Sequence, residues 1–501
     1  MAAELRRGLG PEPDSLHIHE AQGLSAIQVL RDLREGLVTF DAAGEPVPGT
    51  AESWDLSPDG LQYRFRLRAD ARWSDGTPVV AEDFVRAWRR ALNPRSAAHT
   101  AALLEPVAGA AALLAGEADP GALGVRAPAP DVLEVELERP TPWFLELLAH
   151  PVTFPLHPGA MEAGREDAVN GVFVLAERVP GGHLRLEPNP HHPDRDTLSL
   201  DAVTWYPIED PGSELSRFRA GELDITETIP AGRHDWLAEH HAHALRVTPY
   251  LGSFWLGLNL RRPPLAGKPD LRRALALAID REILAERVLG AGEVPAYGIV
   301  PPALSGGRPG AMVMAEATQA EREAEARRLY AAAGAPPGLR LELRYNTSAV
   351  HRRMAVAVAA MWKQVLGVST TLVHEEWKVF VNNRRQGAVT QVFRGGWIAD
   401  FADPVSFLDL FRSDNELNSS FYASEAYDAL LRLAAAASGS AREDLLRQAH
   451  AQLLEDLPVI PLYHYVSRHL VRPGVHGWVD NVRDIHLSRW MSIAAPAEPA
   501  P

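Results

Sequence analysis

One stretch of the chain decides how the rest is interpreted: Val392-Phe393-Arg394-Gly395-Gly396-Trp397-Ile398-Ala399-Asp400. Its two glycines carry no Cβ, so another backbone can approach closely at this point. The tryptophan beside them offers a wide, stiff wall with one hydrogen-bond donor. Asp400 lies between an alanine and a phenylalanine, and a carboxylate in apolar surroundings needs a cation as its partner. The stretch predicts either a ligand pocket whose acid receives an amino group, or a surface loop whose aspartate caps a helix.

The composition limits the class of protein. A chain of 501 residues is too long for one core and predicts two or more lobes. Its 46% hydrophobic and 23% charged residues are typical of an ordinary globular protein. The net charge of −15 argues against a nucleic-acid partner, which requires a basic face. With no cysteine in the chain, disulfides, thiolate metal sites and cysteine nucleophiles are excluded.

The cellular location stays open at this level. No apolar run approaches the ~18 residues that are needed to span a bilayer. The first residues, Met1-Ala2-Ala3-Glu4-Leu5-Arg6-Arg7, lack the hydrophobic core of a signal peptide. We therefore expect either a cytoplasmic protein, or an exported one whose export segment is absent from this sequence.

The first 150 residues mix strands and helices without a βαβ rhythm, which predicts an α+β arrangement. Alternating apolar residues predict strands, and alanine- and leucine-rich stretches with acids near their starts predict helices. The predicted elements are strands at 16–19, 63–68 and 132–137 and helices at 28–35, 81–91 and 103–118.

From residue 250 onward the pattern changes to alternating strands and helices, an α/β rhythm that indicates a second domain. Several of these helices stop at or beside a glycine, as C-caps do. Ser440 with Glu443 three positions later predicts a capping-box start for the last helix. The predicted elements are strands at 250–259, 341–345, 369–373 and 459–465 and helices at 271–289, 316–333, 351–366 and 440–455.

Motifs with catalytic or metal-binding chemistry are not found. The sequence has no phosphate loop, G-x-G-x-x-G, G-x-S-x-G or H-E-x-x-H pattern. Three groups of histidines suggest metal ligands, but none has a matched third or fourth ligand, so solvated faces are expected and no metal site is predicted. These groups are His17 with His19, His191 with His192, and His240, His241 and His243.

Ordered sequence blocks carry a resemblance to a known family over nearly the whole chain. They include Asp32-Leu33, Trp73-Ser74-Asp75-Gly76-Thr77-Pro78, Gly221-Glu222-Leu223-Asp224, Tyr345-Asn346-Thr347-Ser348, Glu376-Trp377-Lys378 and Gly396-Trp397-Ile398-Ala399-Asp400. In this order and spacing the chain resembles the oligopeptide-binding proteins, the receptors of ABC peptide importers in the extracellular solute-binding protein family 5.

The resemblance implies an α/β fold with an α+β insertion. It is the two-lobed, type II periplasmic-binding-protein fold with an extra domain, which closes on its ligand like a flytrap by hinge motion. Residues 1–34, 160–249 and 470–501 would form a discontinuous lobe I, residues 35–159 the additional α+β domain, and residues 250–469 lobe II.

The resemblance also implies roles for individual residues. Asp400 would pair with the α-ammonium group of a peptide, while Trp377 and Trp397 would form pocket walls. Two main-chain segments would flank the peptide as strands, namely Gly395, Gly396 and Trp397 and, separately, Gly23, Leu24 and Ser25. The cations implied to meet the peptide's C-terminal carboxylate are Arg394, His351 and Arg308. Arg384 and Arg385 add positive charge that hints at acidic side chains on the ligand.

The physical chemistry of such a receptor agrees with these residues. Peptides of any sequence share main-chain amides and two charged ends, which strand addition, an acid and a base can recognise, while side chains enter wet pockets. We therefore expect an extracytoplasmic receptor for short peptides in the periplasm or cell envelope. It would deliver peptides to the permease subunits of an ABC transporter, and act as a monomer without a cofactor or nucleic-acid partner.

Two alternatives remain at this level. The same fold can bind another solute, such as a murein peptide, a metal chelate, haem or a sugar, because fold does not fix function. An enzyme, such as a hydrolase that uses the carboxylates of Asp400 and Asp403 as a pair, is the other.

Overall fold

A computed structural model describes residues 3–21, 23–96, 98–161, 168–306 and 310–494. Contacts between Cα atoms divide the chain into two compact units. Unit 1 comprises Met1–Pro230, His240–Arg246 and Arg468–Pro501, and unit 2 comprises Ala231–Glu239 and Val247–Ser467. None of the helices within the described ranges combines the length and the apolar character that crossing a bilayer requires.

The elements follow one another along the chain in a mixed α/β order. The strands are β1 (Glu4–Gly8), β2 (Val38–Phe40), β3 (Pro46–Pro48), β4 (Ala51–Leu56), β5 (Gln62–Leu67), β6 (Val125–Ala129), β7 (Val132–Glu136), β8 (Phe173–Val179), β9 (His183–Pro188), β10 (Ala202–Tyr206), β11 (Leu245–Leu258), β12 (Val294–Pro295), β13 (Arg340–Asn346), β14 (Ser369–Glu375), β15 (Val392–Ile398), β16 (Val459–Leu470), β17 (Val475–His476) and β18 (Ser492–Ile493). The α-helices are α1 (Leu24–Leu33), α2 (Ala81–Ala91), α3 (Ala110–Leu114), α4 (Phe144–Leu147), α5 (Pro211–Ala220), α6 (His234–His240), α7 (Pro269–Leu277), α8 (Arg281–Ile283), α9 (Gln319–Ala332), α10 (Ala349–Leu366), α11 (Trp377–Gln386), α12 (Val405–Leu408), α13 (Glu425–Ala436) and α14 (Gly439–Asp456).

Unit 1 contains two four-stranded sheets, in the orders β1-β10-β9-β8 and β4-β5-β7-β6. Strand β5 shows why these elements form, because its alternate side chains, Tyr63, Phe65 and Leu67, are buried and the others are exposed. Each sheet has its own apolar core. One core is formed mainly by side chains between Leu37 and Leu156, and the other by side chains from β1, β8 to β10 and the C-terminal segment. The assignment of residues 35–159 as a separate domain stays a prediction.

Unit 2 is organised around a six-stranded sheet in the order β12-β16-β11-β15-β13-β14. Strands β13 and β14 are parallel, and β15 runs parallel to β13 and antiparallel to β11. Between the parallel strands lies α10, which buries Met354, Val358 and Trp362 and ends at Gly367 with a φ of +68°. This sheet places β15, which carries the glycine pair, next to α10 and α11.

Several predicted elements are confirmed, and five differ from the structure in type or in their limits. The strands at 63–68, 132–137, 250–259, 341–345, 369–373 and 459–465 and the helices at 81–91, 316–333 and 351–366 are present with shifts of a few residues at their ends. The predicted strand at 16–19 is a turn, in which the amides of Glu20 and Ala21 donate to the carbonyl of His17. Ile18 and His19 are both buried, so these residues lack the two distinct faces of a strand.

Three further differences concern helix limits. Helix α1 begins at Leu24 rather than near residue 28. The predicted helix at 103–118 shortens to α3, because Pro106 lacks an amide hydrogen and Gly109 has a φ of +77°. The predicted helix at 271–289 ends at Leu277, and a new one begins where the side chain of Asp280 accepts the amide of Ile283 at 2.9 Å.

The last helix starts earlier than its predicted capping box. Its N-cap residue is Ser438, so Ser440 lies inside α14 rather than at its start.

Candidate ligand-binding site

Strand β15 has one fully paired side and one side that is paired only at its beginning. On the first side it pairs with β11 from Val392 to Ile398. On the other side β13 pairs with β15 only at Val392 and Phe393. Within the part of unit 2 that the structure describes, the stretch from Arg394 to Ile398 therefore has no strand partner on that side. Such an edge can accept the main chain of an extended ligand.

The two glycines of β15 make room for neighbouring aromatic side chains of unit 2. A Cβ on Gly395 would lie 2.3 Å from Nε1 of Trp255, and a Cβ on Gly396 would lie 2.7 Å from the hydroxyl of Tyr465. The faces of β15 at these positions are thus filled by the protein itself. That Gly395 and Gly396 also contact a ligand's backbone along the strand edge stays a prediction.

Basic side chains from three elements lie beside β15. The guanidinium of Arg394 lies 5.6 Å from the ring centroid of Phe254 and 5.6 Å from that of Trp377. His351, on α10, lies with its ring centroid 5.5 Å from the same Phe254 ring. Arg384, on α11, lines a small cavity together with Gly395, Gly396 and Trp397. Residues that are distant in sequence therefore form one cationic group in unit 2.

The two arginines and the histidine lie close to one another, and several of their nitrogens lack a partner among the described residues. Burial and the charge of Arg394 lower the pKa of His351 to about 4. Burial and the charges of Arg394 and Arg385 lower the pKa of Arg384 to about 10. Among the described residues, Nε of Arg384, Nε of Arg394 and Nδ1 of His351 are buried and have no hydrogen-bond partner. Such a group favours an anionic ligand that can accept these hydrogen bonds.

Asp400 lies just beyond the C-terminal end of β15. Its side chain reaches solvent, while the protein around it desolvates the carboxylate and raises the pKa from 3.8 to about 6. Its amide donates to Oγ of Ser406 at 3.2 Å, and Nε1 of Trp397 donates to the same oxygen at 3.3 Å. Ser406 therefore holds Trp397 and Asp400 in fixed positions relative to each other. A cationic group on a ligand would favour the ionised form of the Asp400 carboxyl.

The remaining predicted site residues lie in different places. Trp377 begins α11 and is 49% exposed, as a pocket wall requires, and Arg385 is exposed on the same helix. Gly23, Leu24 and Ser25 belong to unit 1, where Gly23 is extended and the other two start α1. Only Gly23 therefore has the strand-like backbone that was predicted for this segment. Arg308 lies outside the described residues.

Three aromatic residues of the site were missed by the sequence analysis. Phe254 and Trp255 come from β11, and Tyr465 comes from β16. Phe254 lies between Arg394 and His351, and it stacks on Tyr463 with ring centroids 4.8 Å apart. The apolar strand predicted at 250–259 contained the first two residues, but an apolar strand gives no sign of which side chains face a site.

Comparisons with known proteins agree with this geometry. The family model described as "Bacterial extracellular solute-binding proteins, family 5 Middle" matches residues 45–419. The chain is 37% identical to the periplasmic murein peptide-binding protein MppA of Escherichia coli over 98% of this chain and 93% of the relative. It is 36% identical to the periplasmic oligopeptide-binding protein OppA of the same species over 95% of this chain and 89% of the relative.

Solved structures show the same relationship. The structure of the Escherichia coli murein tripeptide binding protein MppA has a TM-score of 0.84 at 36% identity, with 99% of each chain covered. The Haemophilus influenzae OppA complex with the peptide RPPGFSPFR has a TM-score of 0.82 at 31% identity, again with 99% of each chain covered. The resemblance to oligopeptide-binding proteins is confirmed: the chain belongs to the bacterial extracellular solute-binding proteins of family 5 and has their two-lobed, mixed α/β fold.

Proposed function

We propose that this chain is a receptor that binds short peptides and delivers them to an ABC transporter. One observation carries the proposal: an unpaired stretch of β15 has cations at one end and a desolvated acid at the other. The edge can bind main-chain amides, Asp400 can bind an ammonium group, and Arg394, Arg384 and His351 can bind carboxylates. A free peptide presents these three features together.

The setting of the proposed activity follows from the relatives. The MppA and OppA relatives of Escherichia coli are periplasmic by name, and we place this chain in the periplasm or cell envelope on that basis. The permease subunits of an ABC transporter would be its protein partner, and a monomer would be the form that binds peptide. The family consists of solute receptors, so peptide should be released unchanged.

Isothermal titration calorimetry with matched peptides tests the proposal. A tripeptide or tetrapeptide with a free amino terminus should bind, and the same peptide with an N-acetyl group should bind at least ~30-fold more weakly. The loss corresponds to about 2 kcal/mol for an ammonium–carboxylate contact. Equal affinity for the two peptides would rule out Asp400 as the ammonium site, and no binding of any free peptide would rule out the proposed function.

A ligand with more than one carboxylate, such as a murein peptide, is a second candidate. It is favoured by the cationic group, in which several buried nitrogens lack a partner among the described residues. A peptide with a glutamate side chain should then bind more tightly than its alanine analogue. Mass spectrometry of small molecules that copurify with the protein would identify the natural ligand directly.

A further inference from the structure

Unit 1 contains a compact group of ligand-type side chains that lies outside the site described above. The group consists of His469, Asp484 and His486, which come from the end of β16 and from the segment between β17 and β18. Nε2 of His469 lies 2.8 Å, and Nε2 of His486 lies 3.2 Å, from the same oxygen, Oδ1 of Asp484. The three potential ligand atoms all lie within 4.8 Å of one another.

The three side chains are fixed in place by their surroundings. The side chains of His469 and His486 are only 7% and 5% exposed. The ring of Trp478 stacks on His486 with centroids 3.6 Å apart. Asp484 has a φ of +55°, a backbone conformation that a non-glycine residue adopts only where its surroundings enforce it. The fold of unit 1 therefore holds these three side chains together.

The hydrogen bonds of His469 set its ring for metal ligation. Nδ1 lies 3.0 Å from the carbonyl oxygen of Thr226, so that nitrogen carries a proton and donates. In the neutral ring, Nε2 then keeps its lone pair and points it toward Asp484. A histidine that donates its other N–H to a backbone carbonyl is the usual arrangement in metal sites.

We propose that His469, His486 and Asp484 bind a divalent transition-metal ion, with zinc as the best fit. A tetrahedral zinc ion at about 2.0–2.1 Å from each ligand needs ligand atoms separated by about 3.3 Å. The two distances to Asp484, 2.8 and 3.2 Å, lie within about 0.5 Å of that value, and the two histidine nitrogens lie within 4.8 Å of each other. Two imidazole nitrogens and one carboxylate oxygen also form a ligand set that zinc accepts, with a fourth position left for another group.

The cavity next to these residues provides that fourth position. Its lining includes the same three side chains, Gln28, Thr226 and Glu227, and two arginines, Arg7 and Arg31. The side-chain amide of Gln28 donates to both carboxylate oxygens of Glu227, at 3.2 and 3.1 Å. Glu227 or a water molecule held beside it can complete the coordination.

Histidine spacing in the sequence gave no sign of this site. The ligands stand 15 and 17 positions after His469, and the segment between them is brought back only by the fold. The prediction of no metal site was based on other histidines, none of which belongs to this group.

Titration of the full-length, chelator-treated protein with zinc chloride tests the proposal. Calorimetry at pH 7.5 should show one zinc ion bound per chain. The variants His469→Gln and His486→Gln should each weaken zinc binding at least ~100-fold. The control variant His476→Gln, in which an exposed histidine of β17 is replaced, should bind zinc as the parent protein does.

Circular dichroism and thermal unfolding show whether each variant folds. If His469→Gln does not fold, the result rests on His486→Gln and Asp484→Asn, with Co²⁺ as a second probe that reports tetrahedral coordination by its visible absorption. The proposal is overturned if the parent protein binds no zinc, or if the folded variants keep full affinity. Loss of binding on replacing His240, His241 and His243 instead would assign the ion to that other histidine group. The inference goes beyond peptide binding and does not depend on it.

Discussion

Arg442 donates two hydrogen bonds of 2.8 Å to the two carboxylate oxygens of Asp403, and the two side chains are only 10% and 9% exposed. This ion pair ties α14 to the turn that follows Asp400. The same carboxylate accepts the amide of Val405 at 2.9 Å, at the start of α12. Asp403 is therefore held in place by Arg442 and by the first turn of α12.

Replacing Arg442 by alanine should strongly destabilise unit 2. The substitution leaves the Asp403 carboxylate buried without its cation, which typically costs about 3–5 kcal/mol. The measurement is the urea midpoint of unfolding, followed by tryptophan fluorescence. The control is Arg327→Ala, which removes an exposed ion pair with Glu323 on α9 and should cost no more than about 0.5 kcal/mol. Equal midpoints for the two variants would show that the buried pair contributes little.

Asp400→Asn should weaken the binding of a free peptide by at least ~2 kcal/mol, because the amide cannot neutralise the ligand's ammonium group. The N-acetylated peptide, which has no such group, should bind the variant and the parent protein about equally. Calorimetry with the two peptides and the two proteins gives a complete double cycle. If the variant binds the free peptide as the parent does, Asp400 is not the ammonium site.

The loss of peptide affinity at acidic pH should also depend on Asp400. Desolvation raises the pKa of this carboxyl to about 6 in the free protein, and a cationic ligand binds only the ionised form. Peptide affinity should therefore be full above about pH 6 and fall by up to about tenfold per pH unit below it. The decrease should be absent in Asp400→Asn. A parent profile that is flat between pH 7 and pH 5 would contradict this role.

Sequence patterns were sufficient to predict the helices and strands of unit 2 that have distinct buried and exposed faces and a recognisable residue at their ends. Helix α10, for example, ends at Gly367 because a left-handed residue is needed there. Patterns failed where a tertiary contact decides the local structure. The predicted helix at 271–289 is broken because the buried guanidinium of Arg281 binds the carbonyl oxygens of Ala276 and Ile279 at 3.0 and 3.1 Å. No local rule indicates that an arginine will be buried in this way.

The candidate site, too, could be predicted from the sequence only in part. Its acid, glycines and tryptophan are adjacent in sequence and were visible as one stretch, whereas the roles of the cations were inferred only from the family resemblance. The gathering of Arg394 and His351 at Phe254, with Arg384 near Arg394, depends on where β15, α10 and α11 lie in unit 2. These residues come together because of the order of the strands in the sheet, and the periodicity of apolar residues in the sequence does not reveal that order.

Gly395→Ala should destabilise unit 2 even though alanine fits the backbone of a strand. The new Cβ would lie 2.3 Å from Nε1 of the buried Trp255, so the indole must move. Overpacking of this kind costs about 1–3 kcal/mol, measured as a shift in the urea midpoint. Gly121→Ala is the matched control, since a Cβ there meets no atom within 4 Å and the backbone needs no positive φ. A midpoint unchanged from the parent in Gly395→Ala would show that Trp255 has room to shift.

Arg384 and Arg385 offer a matched pair for testing the preference for acidic ligands. The first is half-buried, lies near Arg394 and has an unpartnered Nε among the described residues, whereas the second is exposed on the same helix. Arg384→Gln should weaken the binding of a glutamate-containing peptide by about tenfold, a typical loss for one charge-assisted hydrogen bond. It should change the affinity of the alanine analogue much less.

The neighbouring substitution separates a local contact from a general charge effect. Arg385→Gln removes the same formal charge from an exposed position, where water and salt screen it, and should leave both affinities nearly unchanged. Equal losses in the two variants would mean that α11 acts on the ligand only through its overall charge. A loss confined to Arg384→Gln and to the acidic peptide would place a ligand carboxylate beside α11, where the buried nitrogens of Arg384 and Arg394 can donate to it.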